Sequence, residues 1–175
     1  DLVRTSRSAR CQGGGTALKH YAANNQEFER MAANSSLDER TLHEVYLPAF
    51  EIAVREAQPW SVMAAYNLVN GVPATENSHL LREILRSQWG VQGFVVSDWG
   101  AVNDHIKGVN AGLNLEMPGS GAYHRNKIIE GVKAGKISPE VLDEIVESLV
   151  AVILEAKHRH RPGVTFDVAQ HDALA

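Results

Sequence analysis

The 175-residue sequence has one cysteine, Cys11, which is too few for an internal disulfide framework. It has no run of about 18 apolar residues, the length that a membrane-spanning helix requires. It also has no basic excess, because 17 Lys and Arg against 21 Asp and Glu give a formal net charge of -4. That balance disfavours a nucleic-acid partner held by phosphate neutralisation. What remains, with 44% hydrophobic and 22% charged residues, is an ordinary globular composition.

The two ends of the sequence predict little regular structure. The chain starts at Asp1 instead of Met, so we expect a fragment of a longer protein, and no feature indicates its compartment. Residues 1–15 are polar and end in three glycines, which predicts an irregular N-terminal segment. Residues 158–175 are basic and then interrupted by Pro and Gly, which predicts a linker.

Between these ends, a strand pattern is followed by a helix pattern four times. The predicted strands end at His20, Tyr66, Asp98 and Met117. This alternation predicts an α/β fold with parallel strands and helices packed outside them. Residues 16–157 would then form four βα units, the equivalent of half a (β/α)8 barrel, which needs about 250 residues when complete. An open four-stranded sheet is the alternative, and both place ligands at the carboxyl ends of the strands.

Local signals predict where several helices begin and end. Asp38 is a candidate N-cap for the first helix, which Pro48 should kink and which should end before Gln58. A second helix is predicted from Ser78 to Trp89. Ser138 followed by proline predicts the start of the last helix.

Asp98 is the first candidate for chemistry. It ends the apolar, β-branched run at 94–97 and precedes an indole, Trp99. A carboxylate in this position acts as a nucleophile, a base or a metal ligand, or it caps the next helix. The residues alone leave both interpretations open.

Other polar and aromatic residues follow the predicted strand ends. Lys19 and His20 offer donors and acceptors for a sugar, or are structural. Trp99 either stacks on a sugar face or fills the core. Met63 and Tyr66 either line a pocket or pack, and Arg30 either pairs with a carboxylate near the site or is a solvated charge.

The sequence gives no sign of a cofactor or a metal. The glycines at 13–15 match neither the dinucleotide fingerprint nor the P-loop. The eight histidines show no zinc-ligand spacing with cysteine partners. The basic run at 157–161 is most simply a solvated linker. We therefore expect neither a cofactor nor a metal.

Five segments together resemble glycoside hydrolase family 3, in its β-glucosidase and β-xylosidase branch. They are KHYAANNQE at 19–27, ERTLHEVYLPAF at 39–50, MAAYNLVNG at 63–71, SDWG at 97–100 and AGLNLEMPG at 111–119. The resemblance covers most of the chain from Gly13 onwards. The family's N-acetylglucosaminidase branch is disfavoured, because its Lys-His pair precedes Phe-Pro-Gly where this chain has Tyr-Ala-Ala.

The resemblance implies the second half of the family's N-terminal barrel and a β-glycoside or oligosaccharide substrate. It implies that Asp98 is the catalytic nucleophile and that six residues surround the sugar: Lys19, His20, Arg30, Met63, Tyr66 and Trp99. It further implies that the missing parts of the same chain, another half-barrel and a second domain, supply an aspartate, an arginine and the acid/base glutamate.

Two questions stay open at this stage. Glu116, at the end of the neighbouring predicted strand, is the internal competitor for the acid, because adjacent strands lie about 4.8 Å apart. A non-catalytic carbohydrate-binding or degenerate module is the alternative to a glycosidase.

Overall fold

A parallel three-stranded sheet is the centre of the computed structural model, which describes residues 2–11, 13–119, 121–163, 165 and 167–174. In chain order, the strands are β1 (Ala17–Tyr21), β2 (Asn34–Ser35), β3 (Ser61–Ala64), β4 (Leu68–Val69), β5 (Val72–Pro73) and β6 (Phe94–Ser97). The central sheet has the order β1-β3-β6. β3 is buried along its whole length, as expected of the middle strand of a parallel sheet covered on both faces.

Helices surround this sheet. The α-helices are α1 (Leu2–Cys11), α2 (Glu39–Thr41), α3 (Pro48–Ala57), α4 (His105–Ala111), α5 (Ala122–Lys133), α6 (Pro139–Arg159) and α7 (Val168–Leu174). Two segments are wound as π-helices, π1 (Leu42–Tyr46) and π2 (His79–Gln88), and a 3₁₀ turn spans Ala74–Glu76. None of the helices in the described residues is both long and apolar enough to cross a membrane.

The strand register brings the predicted strand ends to one edge of the sheet. Ser61 pairs with Phe94 and Ala64 pairs with Ser97, so β3 and β6 end at the same level. β1 pairs with β3 through Ala17 and Ser61, with an irregularity between Leu18 and Tyr21. The residues that follow these strands are therefore neighbours.

The predicted fourth strand is wrong in its extent. Residues 113–117 make one isolated bridge, between Val96 and Leu115. Side chains replace part of the backbone ladder here: the Val95 N–H donates to Asn114 Oδ1 at 2.7 Å, and the Met117 N–H donates to Ser97 Oγ at 2.9 Å. The fold is α/β with parallel strands as predicted, but the described sheet has three strands and not four βα units.

A second small sheet was not predicted. β2 runs parallel to β4, and β4 pairs with β5 through the tight turn that Asn70 and Gly71 form with positive φ angles of 51° and 83°. Asn and Gly tolerate this backbone region, which favours a turn at these two positions. The Asn70 side chain also accepts from the Leu37 N–H and donates to the Leu37 carbonyl.

Both ends of the chain contain more helix than predicted. α1 occupies Leu2–Cys11, where the sequence predicts an irregular segment, and Arg7 on it donates to the Glu56 carbonyl at 3.1 Å. The predicted linker at 158–175 begins inside α6, which continues to Arg159, and it contains α7. Residues 1, 12, 164, 166 and 175 of these segments lie outside the described residues.

The helix-capping predictions are confirmed. Asp38 Oδ1 accepts from the Thr41 N–H at 2.7 Å, and the Ser138 side chain accepts from the Val141 N–H. Pro48 does not kink a continuous helix. It begins α3 directly after π1, at a position where its missing N–H costs no bond.

The hydrophobic core lies between the central sheet and the helices. π2 contributes Leu80, Leu81, Ile84 and Leu85, all fully buried. Tyr21, at the end of β1, is also fully buried, and its hydroxyl donates to the Leu80 carbonyl at 3.0 Å. Burial raises the pKa of Tyr21. This packing fixes β1 against π2 and so fixes the position of the residues that follow β1.

Candidate active site

Asp98 lies at the carboxyl end of β6, where the apolar strand predicts it. Its backbone N–H donates to the Ala64 carbonyl at 3.0 Å, which continues the β3–β6 pairing by one residue. Its Oδ1 accepts from the Trp99 N–H at 2.8 Å. The side chain is 12% exposed, so the carboxylate is oriented by these bonds while one face stays accessible.

His20 brings β1 into contact with this carboxylate. Its Nε2 lies 3.4 Å from Asp98 Oδ2, within ion-pair distance when the imidazole is protonated. The His20 side chain is 32% exposed. Two strands that are not adjacent in the sheet therefore meet at one polar group.

Tyr66 joins the same group from the segment after β3. Its hydroxyl donates to the Trp99 carbonyl at 2.9 Å, and the residue is buried. Burial is the main cause that raises the pKa of Tyr66, and the nearby Asp98 carboxylate adds to the effect. The Trp99 indole, by contrast, is half-exposed, so it lines the surface of the site and does not fill the core.

Arg30 is not a free solvated charge. Its Nη1 lies 2.7 Å from Glu27 Oε2, and its guanidinium carbon lies 4.5 Å from the centre of the Tyr66 ring. A cation over an aromatic face is attracted by the ring quadrupole. The loop after β1 thus contributes an arginine, held by a carboxylate, to the wall formed by Tyr66.

The structure places the other two predicted residues at the margin. Lys19 is exposed, and it forms no salt bridge with any carboxylate in the part of the chain that the structure describes. Met63 is buried in β3, in register with Val96, below the level of Asp98. Among the described residues, neither of the two forms an ion pair or a hydrogen bond with Asp98.

Glu116 does not face Asp98. Its two carboxylate oxygens lie 3.0 Å from His105 Nδ1 and 2.9 Å from His124 Nδ1. These histidines belong to α4 and α5, so Glu116 points towards the helices. The internal competitor for the acid is therefore engaged elsewhere.

Sequence reasoning missed two features of this region. Glu27 was named only within the segment at 19–27 that carries the family resemblance, although its carboxylate forms an ion pair with Arg30. The group formed by His105, Glu116 and His124 was not predicted at all, because its members come from three separate elements with no local spacing.

The fold and the site define an α/β domain with a carboxylate site at the carboxyl ends of parallel strands. The chain belongs to glycosyl hydrolase family 3: the model of the glycosyl hydrolase family 3 N terminal domain matches residues 8–152.

Relatives of this family share high identity with the chain. Thermostable β-glucosidase B of Acetivibrio thermocellus is 49% identical over 164 residues, which cover 94% of this chain and 22% of that protein. The exo-α-(1→6)-L-arabinopyranosidase of Bifidobacterium breve is 43% identical over 165 residues, with the same two coverages. The structure of β-glucosidase 3B from Thermotoga neapolitana in complex with glucose superposes with a TM-score of 0.91 at 38% identity, covering 98% of this chain and 25% of that one. The chain thus spans about a quarter or less of the length of these three proteins.

Proposed function

We propose that the complete protein is a retaining β-glycosidase that acts on terminal β-glucosides, with Asp98 as its nucleophile. The observation that carries this proposal is the accessible Asp98 carboxylate at the end of β6, with His20 at 3.4 Å and the half-exposed indole of Trp99 beside it. Membership of glycosyl hydrolase family 3 and the β-glucosidase relatives support it.

In this mechanism an Asp98 oxygen attacks the anomeric carbon of the sugar and forms a glycosyl ester. The bond to the leaving oxygen breaks, and a general acid protonates that oxygen. Water, deprotonated by the same acid/base group, then cleaves the ester and releases the sugar with its configuration retained. Asp98 Oδ2 is the attacking atom that we favour, because Oδ1 already accepts from the Trp99 N–H.

The surrounding residues take recognition roles in the proposal. His20 and Lys19 bind hydroxyl groups of the sugar. Trp99 stacks on the apolar face of a sugar ring, and Met63 lines the pocket. Arg30, together with Tyr66, forms a wall near the nucleophile, because the cation lies against that ring.

The acid/base residue lies outside this chain in the proposal. A retaining enzyme needs a second carboxyl group about 5–5.5 Å from the first. Glu116 is a poor candidate, because both of its oxygens contact histidines of α4 and α5. We also propose that the three strands and the Val96–Leu115 bridge are the second half of a (β/α)8 barrel, which missing parts of the same chain complete.

The choice of a glucoside over an arabinopyranoside rests on the relatives alone. The relative with 49% identity is named a β-glucosidase, whereas relatives with 43% identity are named arabinopyranosidases. A pentopyranose lacks the hydroxymethyl group of glucose, and differences of this size are worth only about 1–3 kcal/mol in a pocket.

Covalent trapping tests the proposal. The complete protein is incubated with an activated 2-deoxy-2-fluoro-β-glucoside, and the labelled peptide is identified by mass spectrometry. We expect one label per chain, on Asp98, and no label in Asp98→Asn, while Asp143→Asn on the exposed face of α6 labels normally. A label on another residue refutes the nucleophile, and the absence of any label from an intact protein favours a non-catalytic carbohydrate-binding module.

A further inference from the structure

We infer that His105, Glu116 and His124 form a binding site for one divalent transition metal ion, with Zn²⁺ as the best match. We call these three residues the His–Glu–His cluster. It lies between α4, α5 and the segment that follows the Val96–Leu115 bridge. The inference is independent of the proposed glycosidase activity, because Glu116 faces away from Asp98.

The first argument is the type and arrangement of the ligand atoms. Two imidazole nitrogens and one carboxylate are ligands that zinc prefers. One such atom from each residue lies within 4.8 Å of the other two. With metal–ligand bonds of about 2.0 Å, the ligand atoms of a tetrahedral zinc ion are about 3.3 Å apart. The observed separations, 3.0 Å between Glu116 Oε2 and His105 Nδ1 and 2.9 Å between Glu116 Oε1 and His124 Nδ1, place one carboxylate oxygen near this distance from each nitrogen.

The second argument is that the two nitrogens have no hydrogen-bond partner. His105 Nδ1 and His124 Nδ1 are both buried, and neither forms a hydrogen bond with the residues that the structure describes. Each nitrogen lies within 3.0 Å of a Glu116 oxygen, but this approach is not a hydrogen bond. A buried polar atom without a partner is costly. A metal ion bound between these groups would give both nitrogens a partner.

The third argument is the surroundings of the cluster. The His105 and His124 rings lie with centroids 4.0 Å apart, so both imidazoles are close enough to bind one ion. The three residues also border a cavity of about 190 Å³. That volume accommodates a water molecule, which would complete a four-coordinate shell.

A second group of similar composition provides an internal contrast. Glu39, His43 and His79 also lie close together. Both nitrogens of His79 are already hydrogen-bonded, Nδ1 to Glu83 at 2.6 Å and Nε2 to Glu39 at 3.1 Å. Glu39 is 62% exposed, compared with 19% for Glu116. This second group is a satisfied surface network, and it offers a matched control.

Calorimetric titration of the purified, chelator-treated protein with Zn²⁺ tests the inference. We expect one high-affinity Zn²⁺ per chain, an affinity at least about tenfold weaker in His124→Ala and Glu116→Gln, and no change in His43→Ala. High-affinity binding that survives the first two substitutions, or that is lost only in His43→Ala, overturns the inference. So does a protein that binds no zinc.

Cobalt substitution gives a second measurement, which reports the coordination geometry of the bound ion. Co²⁺ bound to the wild-type protein should show the intense visible absorption of a tetrahedral site, and His105→Gln should reduce it. Circular dichroism in the absence of metal checks that the variants fold. A folded wild-type protein whose Co²⁺ spectrum is that of the hexa-aqua ion refutes the site, whether or not any variant folds.

Discussion

Two hydrogen bonds hold Asp98 in place. Its backbone N–H donates to the Ala64 carbonyl, and its Oδ1 accepts from the Trp99 N–H. An amide in place of the carboxylate can keep both bonds, because its carbonyl oxygen still accepts from Trp99. The negative charge and the nucleophilic oxygen are lost. The substitution therefore separates chemistry from structure.

We predict that Asp98→Asn lowers the kcat of the complete protein on an aryl β-glucoside by several orders of magnitude with little change in Tm. Steady-state kinetics and thermal denaturation measure the two quantities. Asp143→Asn, which makes the same change on the exposed face of α6, should leave both unaltered. A normal kcat in the Asp98→Asn variant would show that another residue is the nucleophile.

His79 carries a second prediction at the scale of one residue. The hydrogen bond with Glu83 is the largest cause that raises the pKa of His79 above its ordinary value of 6.5, and Glu39 adds to it. Because the folded-state pKa of His79 is raised, its interaction with the two glutamates stabilises the fold. This stabilisation is fully present when the pH is below the pKa of His79 in the unfolded chain. The stabilisation is lost as the pH rises through the folded-state pKa of His79.

An NMR titration of the His79 ring should therefore give a pKa above 6.5, and Glu83→Gln should lower it. Glu51→Gln, which breaks a similar i,i+4 pair with Arg55 on α3, should not move it. A His79 pKa that is identical in the wild type and Glu83→Gln would show that the pair does not form in solution.

Individual residues of the site differ in how far the sequence predicted them. Asp98 was predictable, because an apolar strand that ends in a carboxylate is a local pattern. The contact between Arg30 and Tyr66 was not, because it depends on how the loop after β1 folds back. The structure confirms positions only, and the catalytic role of Asp98 and the sugar-binding roles of the other six residues stay predictions.

At the scale of the element, the start of α6 depends on the side chain of one residue, Ser138. Ser138 accepts from the Val141 N–H at 3.3 Å, and Pro139 follows at the first position of α6. The first N–H groups of a helix have no partner within the helix, so the cap satisfies one of them.

We predict that Ser138→Ala destabilises the fold by about 1 kcal/mol, the usual cost of losing a serine cap. Ser148→Ala provides the matched control, because Ser148 lies inside α6 and its hydroxyl donates to the Glu144 carbonyl one turn back. That change should be neutral or slightly stabilising. Denaturant unfolding of both variants measures the difference, and equal effects would contradict the capping role.

Elements with strong local signals were predicted well, and the others were not. The starts at Asp38 and Ser138 and strand β6 follow from capping residues and an apolar β-branched run. The fourth strand was overestimated, because Asn114 and Ser97 satisfy backbone N–H groups that a longer ladder would use. The β2-β4-β5 sheet was missed, because strands of two residues carry no periodic pattern.

At the scale of the whole molecule, the two outer strands of the central sheet have edges whose backbone groups could pair with another strand. Within the described residues, β1 pairs only with β3, and β6 is joined on its other side by one bridge. Unpaired strand edges promote association with other chains. Several large apolar residues of α6 are also exposed, namely Val146, Val150, Ile153 and Leu154.

We predict that these 175 residues expressed alone associate and hydrolyse an aryl β-glucoside at least about 10²-fold more slowly than the complete protein, because general acid catalysis is worth about 10²–10⁴. Light scattering and kinetics on the purified chain measure both. Fast turnover that disappears in both Asp98→Asn and Glu116→Gln would make Glu116 the acid after all.

The small β2-β4-β5 sheet has a consequence for how recognition can evolve. It ties the loop that carries Arg30 to the segment that carries Tyr66, because the Leu68 N–H donates to the Ala33 carbonyl and the Asn67 side-chain amide donates to the Ser35 hydroxyl. Asp98, by contrast, is positioned by the central sheet. Substitutions in the β4–β5 hairpin can therefore shift the Arg30–Tyr66 wall while leaving the carboxylate in place. In the proposed glycosidase, the hairpin is a point at which selection can change substrate preference without rebuilding β6.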